Sequence, residues 1–273
     1  MGNKSLRVVW FQAASCTGCT ISILNSSSFK VKNLLLDEIV PGHHLCLLFQ
    51  QTIMAGSGEK VLEVLREQEK RRDFFLVVEG SISTKDNGVY GKVGEKTFLE
   101  WFQDLAHQSN GIISLGTCSS FGGMFAASPN PTGCMSVKQV CEKFKINKPI
   151  INIPGCPPHP DWFIGTIVHL LTRGIPSIDD LSRPLDFYGS LIHENCPRRP
   201  YFDRGKFAYK FGEEGCLYLI GCKGPYSNSD CPLRQWNGGT NWLIKNGAPC
   251  FGCVEPDFPE KMVPFFEKMK DKT

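Results

Sequence analysis

Thirteen cysteines in 273 residues are the side chains of this sequence best equipped for chemistry. They stand at positions 16, 19, 46, 118, 134, 141, 156, 196, 216, 222, 231, 250 and 253. Cys16-Thr17-Gly18-Cys19 places two thiols three positions apart, a spacing at which two sulfurs can grip one zinc ion or one iron-sulfur cube. Gly18 lets the backbone fold tightly around whatever they hold. An odd number of cysteines, behind an N-terminus with no long apolar core of a signal peptide, argues against a disulfide framework and for metal.

The elements that must position these thiols follow from hydrophobic period. Leu6-Arg7-Val8-Val9-Trp10-Phe11 is an apolar run of strand length that delivers Cys16 and Cys19 at the mouth of a turn. Further strands are expected over residues 44–49, over 74–78 ending at Glu79-Gly80, over 111–116 running into Thr117-Cys118, and over 150–153 feeding Pro154-Gly155-Cys156. Helices are expected over residues 59–72, around Phe98, Trp101, Phe102 and Leu105, and around Phe163, Ile167, Leu170 and Leu171. Short buried strands alternating with helices predict an α/β fold with a doubly wound parallel sheet. Cys16, Cys19, Cys118 and Cys156 each follow a strand, so such a sheet gathers all four at its carboxyl edge, where sites in open α/β sheets form. Four converging thiolates suit a cubane cluster, with a four-cysteine zinc site as the alternative.

Beyond about residue 180 the strand-helix rhythm stops and turn-formers take over. The expected division is therefore residues 1–180 and residues 181–273, the second held together partly by what it binds. His193, Cys196, Cys216 and Cys222 make one candidate ligand set there. Cys231, Cys250 and Cys253 make another, with no obvious fourth member.

Composition narrows the function. The 30 basic and 27 acidic residues nearly balance, giving no electrostatic footprint for nucleic acid or a membrane surface. No apolar run reaches the length of a transmembrane span. Arg71-Arg72 and Arg198-Arg199 lie too deep in the chain to act as an export signal, so a cytoplasmic site is expected.

Taken together, Cys16-Thr17-Gly18-Cys19, Gly116-Thr117-Cys118 with Phe121-Gly122-Gly123, Pro129-Asn130-Pro131-Thr132-Gly133, and Pro154-Gly155-Cys156-Pro157-Pro158 resemble the small subunit of nickel-iron ([NiFe]) hydrogenases. The resemblance extends over nearly the whole chain. It implies a flavodoxin-like N-terminal domain whose Cys16, Cys19, Cys118 and Cys156 bind a proximal [4Fe-4S] cluster facing a large subunit. It further implies a distal [4Fe-4S] cluster on His193, Cys196, Cys216 and Cys222, and a medial [3Fe-4S] cluster on Cys231, Cys250 and Cys253. The NiFe centre would belong to the large-subunit partner, leaving this chain no catalytic residue of its own. Electrons from H2 would cross the three clusters to an external acceptor, in either direction, within a heterodimer or a multiple of it.

Details of the motifs sharpen that expectation. Family members with a cubane medial cluster have a cysteine near Trp242-Leu243; this chain has Leu243, which implies a trinuclear cluster. Oxygen-tolerant members carry two extra cysteines at the positions of Gly18 and Gly123, which implies an ordinary proximal cubane here. The stretch Cys19-Thr20-Ile21-Ser22-Ile23-Leu24-Asn25 lacks the acidic residue of many exported members and is closer to cytosolic uptake and hydrogen-sensing ones. Cys46, Cys134 and Cys141 match no ligand position and are expected as buried free thiols. Glu79 could carry protons, polarise the subunit interface or cap a turn. Two other readings are a related complex I-type iron-sulfur subunit and a zinc-stabilised binding module without redox function.

Overall fold

β-Branched and aromatic side chains make Lys4–Gln12 a nine-residue strand, β1, with Val8, Val9, Trp10 and Phe11 all buried. In the computed structural model, which describes residues 4–266, it is the central strand of a six-stranded sheet. The others are β2 (Glu38–Val40), β3 (His43–Gln50), β4 (Phe75–Glu79), β5 (Gly111–Leu115) and β6 (Ile150–Ile153), in the spatial order β6-β5-β4-β1-β3-β2. All pair in parallel except the edge strand β2, which runs antiparallel to β3. The five parallel strands therefore follow the flavodoxin-like order, in which chain winding reverses beside the first strand and opens a crevice at the carboxyl ends.

Register decides what meets at that crevice. Gln12 pairs with Glu79, Glu79 with Leu115, and Leu115 with Ile153, so four strands end on one row. The loops that follow all start from this row. β5 is buried at every residue and β4 at four of five, as expected for strands covered on both faces.

Among the helices that flank the sheet and frame the loops are α1 (Gly18–Leu24), α2 (Glu59–Gln68), α3 (Phe98–Gln108), α4 (Thr117–Phe121), α5 (Val137–Phe144) and α6 (Pro160–Thr172). α3 starts at a capping box, the Thr97 hydroxyl accepting from the Glu100 N–H while the Glu100 carboxylate accepts from the Thr97 N–H. Its Trp101, Phe102 and Leu105 join Phe11, Leu76, Val78 and Ile112 in the core on one side of the sheet. Each such fully buried side chain contributes about 1.5–3 kcal/mol. On α6, Phe163 packs on Trp10 with ring centroids 5.2 Å apart. α2 stops at Gln68, short of the expected residue 72, because the N–H groups of Glu69, Lys70 and Arg71 make tighter i−3 bonds.

Contacts divide the chain between Pro184 and Leu185. The second unit carries only short helices, Leu185–Tyr188, Arg199–Asp203 and Cys231–Arg234, with single turns of 3-10 helix and isolated bridges among the described residues. Its core is small and sulfur-rich: Ile192, Leu217, Ile220, Trp242 and Ile244 pack with Cys196, Cys222 and Cys250. Arg198 fixes three loops at once, donating to the carbonyls of Glu213, Gly215 and Ile244 at 2.8, 2.7 and 3.1 Å. No helix among the described residues is long and apolar enough to cross a membrane.

Candidate metal centres

After β1 the chain crosses to the β4 loop through paired bonds between Ala14 and Ser81, 3.0 Å each way, and then turns sharply. Thr17 takes a left-handed conformation (φ 65°), and α1 starts at once, so Cys16 precedes the turn and Cys19 sits in the first turn of the helix. Cys118 occupies the first turn of α4, and Cys156 lies two residues beyond Pro154 in the loop after β6. Two of these loops are joined directly. Thr117 N–H donates to the Gly155 carbonyl at 3.0 Å, and Gly155 N–H donates to the Thr117 hydroxyl at 2.8 Å. Ser22 of α1 adds a 2.8 Å bond to the Pro158 carbonyl.

The four thiols lie within electrostatic reach of one another. Burial pushes the Cys19 thiol well above the ordinary range, and the charges of Glu79, Cys118, Cys16 and Cys156 push it further. Burial raises Cys118 to about 11, with Cys156 and Cys16 adding to it, and Cys156 rises through burial and Cys16. Glycine makes the approach feasible: a Cβ on Gly116 (φ +88°) would stand 2.5 Å from the Cys19 Sγ, and one on Gly123 (φ +52°) 2.8 Å from the Cys118 Sγ. Four cysteines gathered at one crevice fit the donor set of an iron-sulfur cluster, whose binding would release the thiol protons.

In the second unit, Cys196, Cys216 and Cys222 form one group, burial lifting Cys222 to about 11 with Cys196 and Cys216 contributing. Cys231, Cys250 and Cys253 form another. Burial takes Cys231 to about 12 with the help of Cys253, and Cys250 rises well above the ordinary range through burial, Cys222, Cys253 and Cys231. The groups meet at Cys222 and Cys250, where the Lys223 N–H also donates to the Cys250 carbonyl at 2.7 Å. His193 stands one turn before Cys196, whose N–H donates to its carbonyl at 3.4 Å. Burial and nearby Arg199 lower the affinity of its ring for a second proton, and its Nε2 is buried without a hydrogen-bond partner. A neutral imidazole with an unused nitrogen is suited to a metal.

Among the described residues, no three His, Cys, Asp or Glu side chains converge tightly enough for a single metal ion. Cys46, on β3, and the buried Cys134 and Cys141 lie outside all three groups. Burial alone accounts for most of the rise of Cys141 to about 12. The residues that sequence reading missed are the polar neighbours of Glu79, namely Gln12, Thr20 and Gln50. A glutamine closing each of two apolar strands was the available signal.

Two family descriptions match the chain: the C-terminal part of the NiFe/NiFeSe hydrogenase small subunit over residues 188–266, and the 20 Kd subunit of NADH ubiquinone oxidoreductase over residues 16–170. The periplasmic [NiFeSe] hydrogenase small subunit of Desulfomicrobium baculatum is 43% identical over 97% of this chain and 88% of its own. The periplasmic [NiFe] hydrogenase small subunit of Solidesulfovibrio fructosivorans is 42% identical over 96% of this chain and 81% of its own. A solved structure of the H2-activated [NiFeSe] hydrogenase of Dm. baculatum superposes with a TM-score of 0.89 at 41% identity, covering 97% of this chain and 99% of that one. These relatives overturn the expected cytoplasmic site, since both named proteins are periplasmic. That expectation rested on the absence of a recognisable export signal in the sequence and on the stretch 19–25, and neither fixes a compartment, because a targeting segment is removed on export. The related oxidoreductase family accounts for the N-terminal fold alone, while the second unit carries the hydrogenase signature, and this chain belongs to the NiFe/NiFeSe hydrogenase small-subunit family.

Proposed function

We propose that this chain conducts electrons between the NiFe site of a large-subunit partner and an external acceptor, one electron at a time, through three clusters. Cys16, Cys19, Cys118 and Cys156 hold a proximal [4Fe-4S] cluster in the N-terminal domain. His193, Cys196, Cys216 and Cys222 hold a distal [4Fe-4S] cluster, and Cys231, Cys250 and Cys253 a medial [3Fe-4S] cluster, in the C-terminal domain. When bound, the clusters supply the one-electron redox chemistry that side chains lack.

The observation that carries this reading is geometric: Cys16, Cys19, Cys118 and Cys156 all follow strands that end on one row at the carboxyl edge of the sheet, and two of their loops are bonded together through Thr117 and Gly155. The chain's own residues bind, space and insulate. Gly116 and Gly123 admit the sulfurs, and Thr117 locks two ligand loops together. Ile21, Met124 and Phe125, beside the ligands Cys19 and Cys118, are exposed apolar side chains and suit a face covered by the large subunit. In the second unit Cys222, the thiol beside Cys250, is taken by the distal set, and the apolar Leu243 stands near Cys231, Cys250 and Cys253 in sequence, which favours the trinuclear assignment.

Low-temperature EPR of the anaerobically purified heterodimer, with iron, nickel and zinc analysis, tests it. The expected result is about eleven irons in the small subunit, a near-isotropic trinuclear signal in the oxidised sample, and reduction of the clusters by hydrogen alone. Zinc without iron would refute the conducting chain.

A further inference from the structure

Every hydrogen-bond partner of the Glu79 carboxylate is a donor. Oε2 accepts from the Trp10 indole N–H at 3.2 Å, the Gln12 side-chain amide at 3.1 Å and the Thr20 hydroxyl at 2.5 Å. Oε1 accepts from the Ser15 hydroxyl at 3.1 Å and the Thr20 backbone N–H at 3.3 Å. The Thr20 oxygen itself accepts from the amides of Gln12 and Gln50, 3.0 Å each, so its one proton is left for Glu79. Likewise the Ser15 oxygen accepts from the Thr17 N–H at 3.0 Å. Five donors converging on two oxygens describe an ionised carboxylate.

That charge is unusual in its setting. Glu79 is 0% exposed, and all five of its donors are neutral groups, so no cation among them cancels it. It also ends β4 on the row from which the ligand loops spring. Its donors come from β1 (Trp10, Gln12), from the residue before Cys16 (Ser15) and from the residue after Cys19 (Thr20). Glu79 thus grips both ends of the CxxC loop and fixes a negative charge against the residues that immediately flank Cys16 and Cys19. A negative charge in a poorly screened interior disfavours the arrival of an electron nearby.

We infer that Glu79 is a positioning residue that holds the Cys16–Cys19 loop through Ser15 and Thr20 and, by its buried charge, lowers the reduction potential of the cluster bound there. This rests on the ligand assignment proposed above. The bonds and the charge make separable contributions, because a shorter acid keeps the charge while an amide keeps the size.

The test is an EPR-monitored redox titration of the proximal cluster in the purified heterodimer, with iron and sulfide content, for wild type, Glu79→Gln and Glu79→Asp. Glu79→Gln should keep its iron and favour reduction about tenfold, a rise of about 59 mV for one electron. Glu79→Asp should stay near the wild-type potential. An unchanged potential in iron-replete Glu79→Gln, or equal shifts in the two variants, overturns the inference. If Glu79→Gln does not assemble, Thr20→Val decides: losing one donor leaves the charge less screened, so the potential should fall, and an unchanged or higher value overturns the inference. Wild-type protein without iron at Cys16, Cys19, Cys118 and Cys156 would overturn the ligand assignment as well, which separates the two failures.

Discussion

Gly116 shows how much a single missing Cβ matters. It combines a left-handed backbone (φ +88°) with a 2.5 Å approach to the Cys19 sulfur, so alanine there meets both strain and collision. Gly42 has a similar φ of +76° but nothing within 4 Å of a built Cβ, which makes it the matched control. Gly116→Ala should lower the iron content of the purified complex by about four per molecule, and Gly42→Ala should leave it unchanged. Equal iron loss in both would trace the effect to backbone strain rather than to the sulfur. Cys250 offers the complementary experiment in the second unit. Cys250→Ser should abolish the trinuclear EPR signal and slow hydrogen-dependent dye reduction, while the large subunit still catalyses hydrogen isotope exchange. Full iron and undiminished dye reduction would remove Cys250 from its assigned set.

At the scale of elements, caps set the boundaries that the ligand loops depend on. Thr97→Ala removes the N-cap of α3 and should cost about 1 kcal/mol. Hydrogen exchange of amides in residues 98–108 should then accelerate about fivefold, and an unchanged rate would show the cap to be redundant. Glu100, the other half of that box, is held below the ordinary carboxylate range by the Thr97 N–H and hydroxyl. Its contribution is present above the unfolded value and disappears as pH falls through the lowered one, so the cap weakens in acid. These elements were largely legible in the sequence. The apolar runs around Val8, Leu76, Ile113 and Ile151 form strands because burial on both faces demands continuous apolar residues. The edge strand β2 was missed because three residues carry no period, and α5 was missed although Val137, Val140, Cys141 and Phe144 have helical spacing behind a Ser136 cap. The convergence of Cys16, Cys19, Cys118 and Cys156 was legible because each follows a strand. The Glu79 network was not, since its donors lie up to 69 positions away and only strand register unites them.

For the whole molecule, the contrast between the two units predicts how it responds to metal loss. The first is built on a covered sheet with a continuous core. The second has short helices and a core in which Cys196, Cys222 and Cys250 take the place of larger apolar side chains. Removing iron by chelation after oxidation should therefore open residues 185–266 to protease while residues 4–184 remain protected, as read by mass spectrometry of the fragments. Simultaneous loss of both would show that the sheet, too, depends on its metal. The Lys223 N–H bonded to the Cys250 carbonyl ties the residue after Cys222 to Cys250, which carries a consequence for biogenesis. On the proposed ligand sets, the order of filling matters, because the first set to close fixes the loop that presents the second.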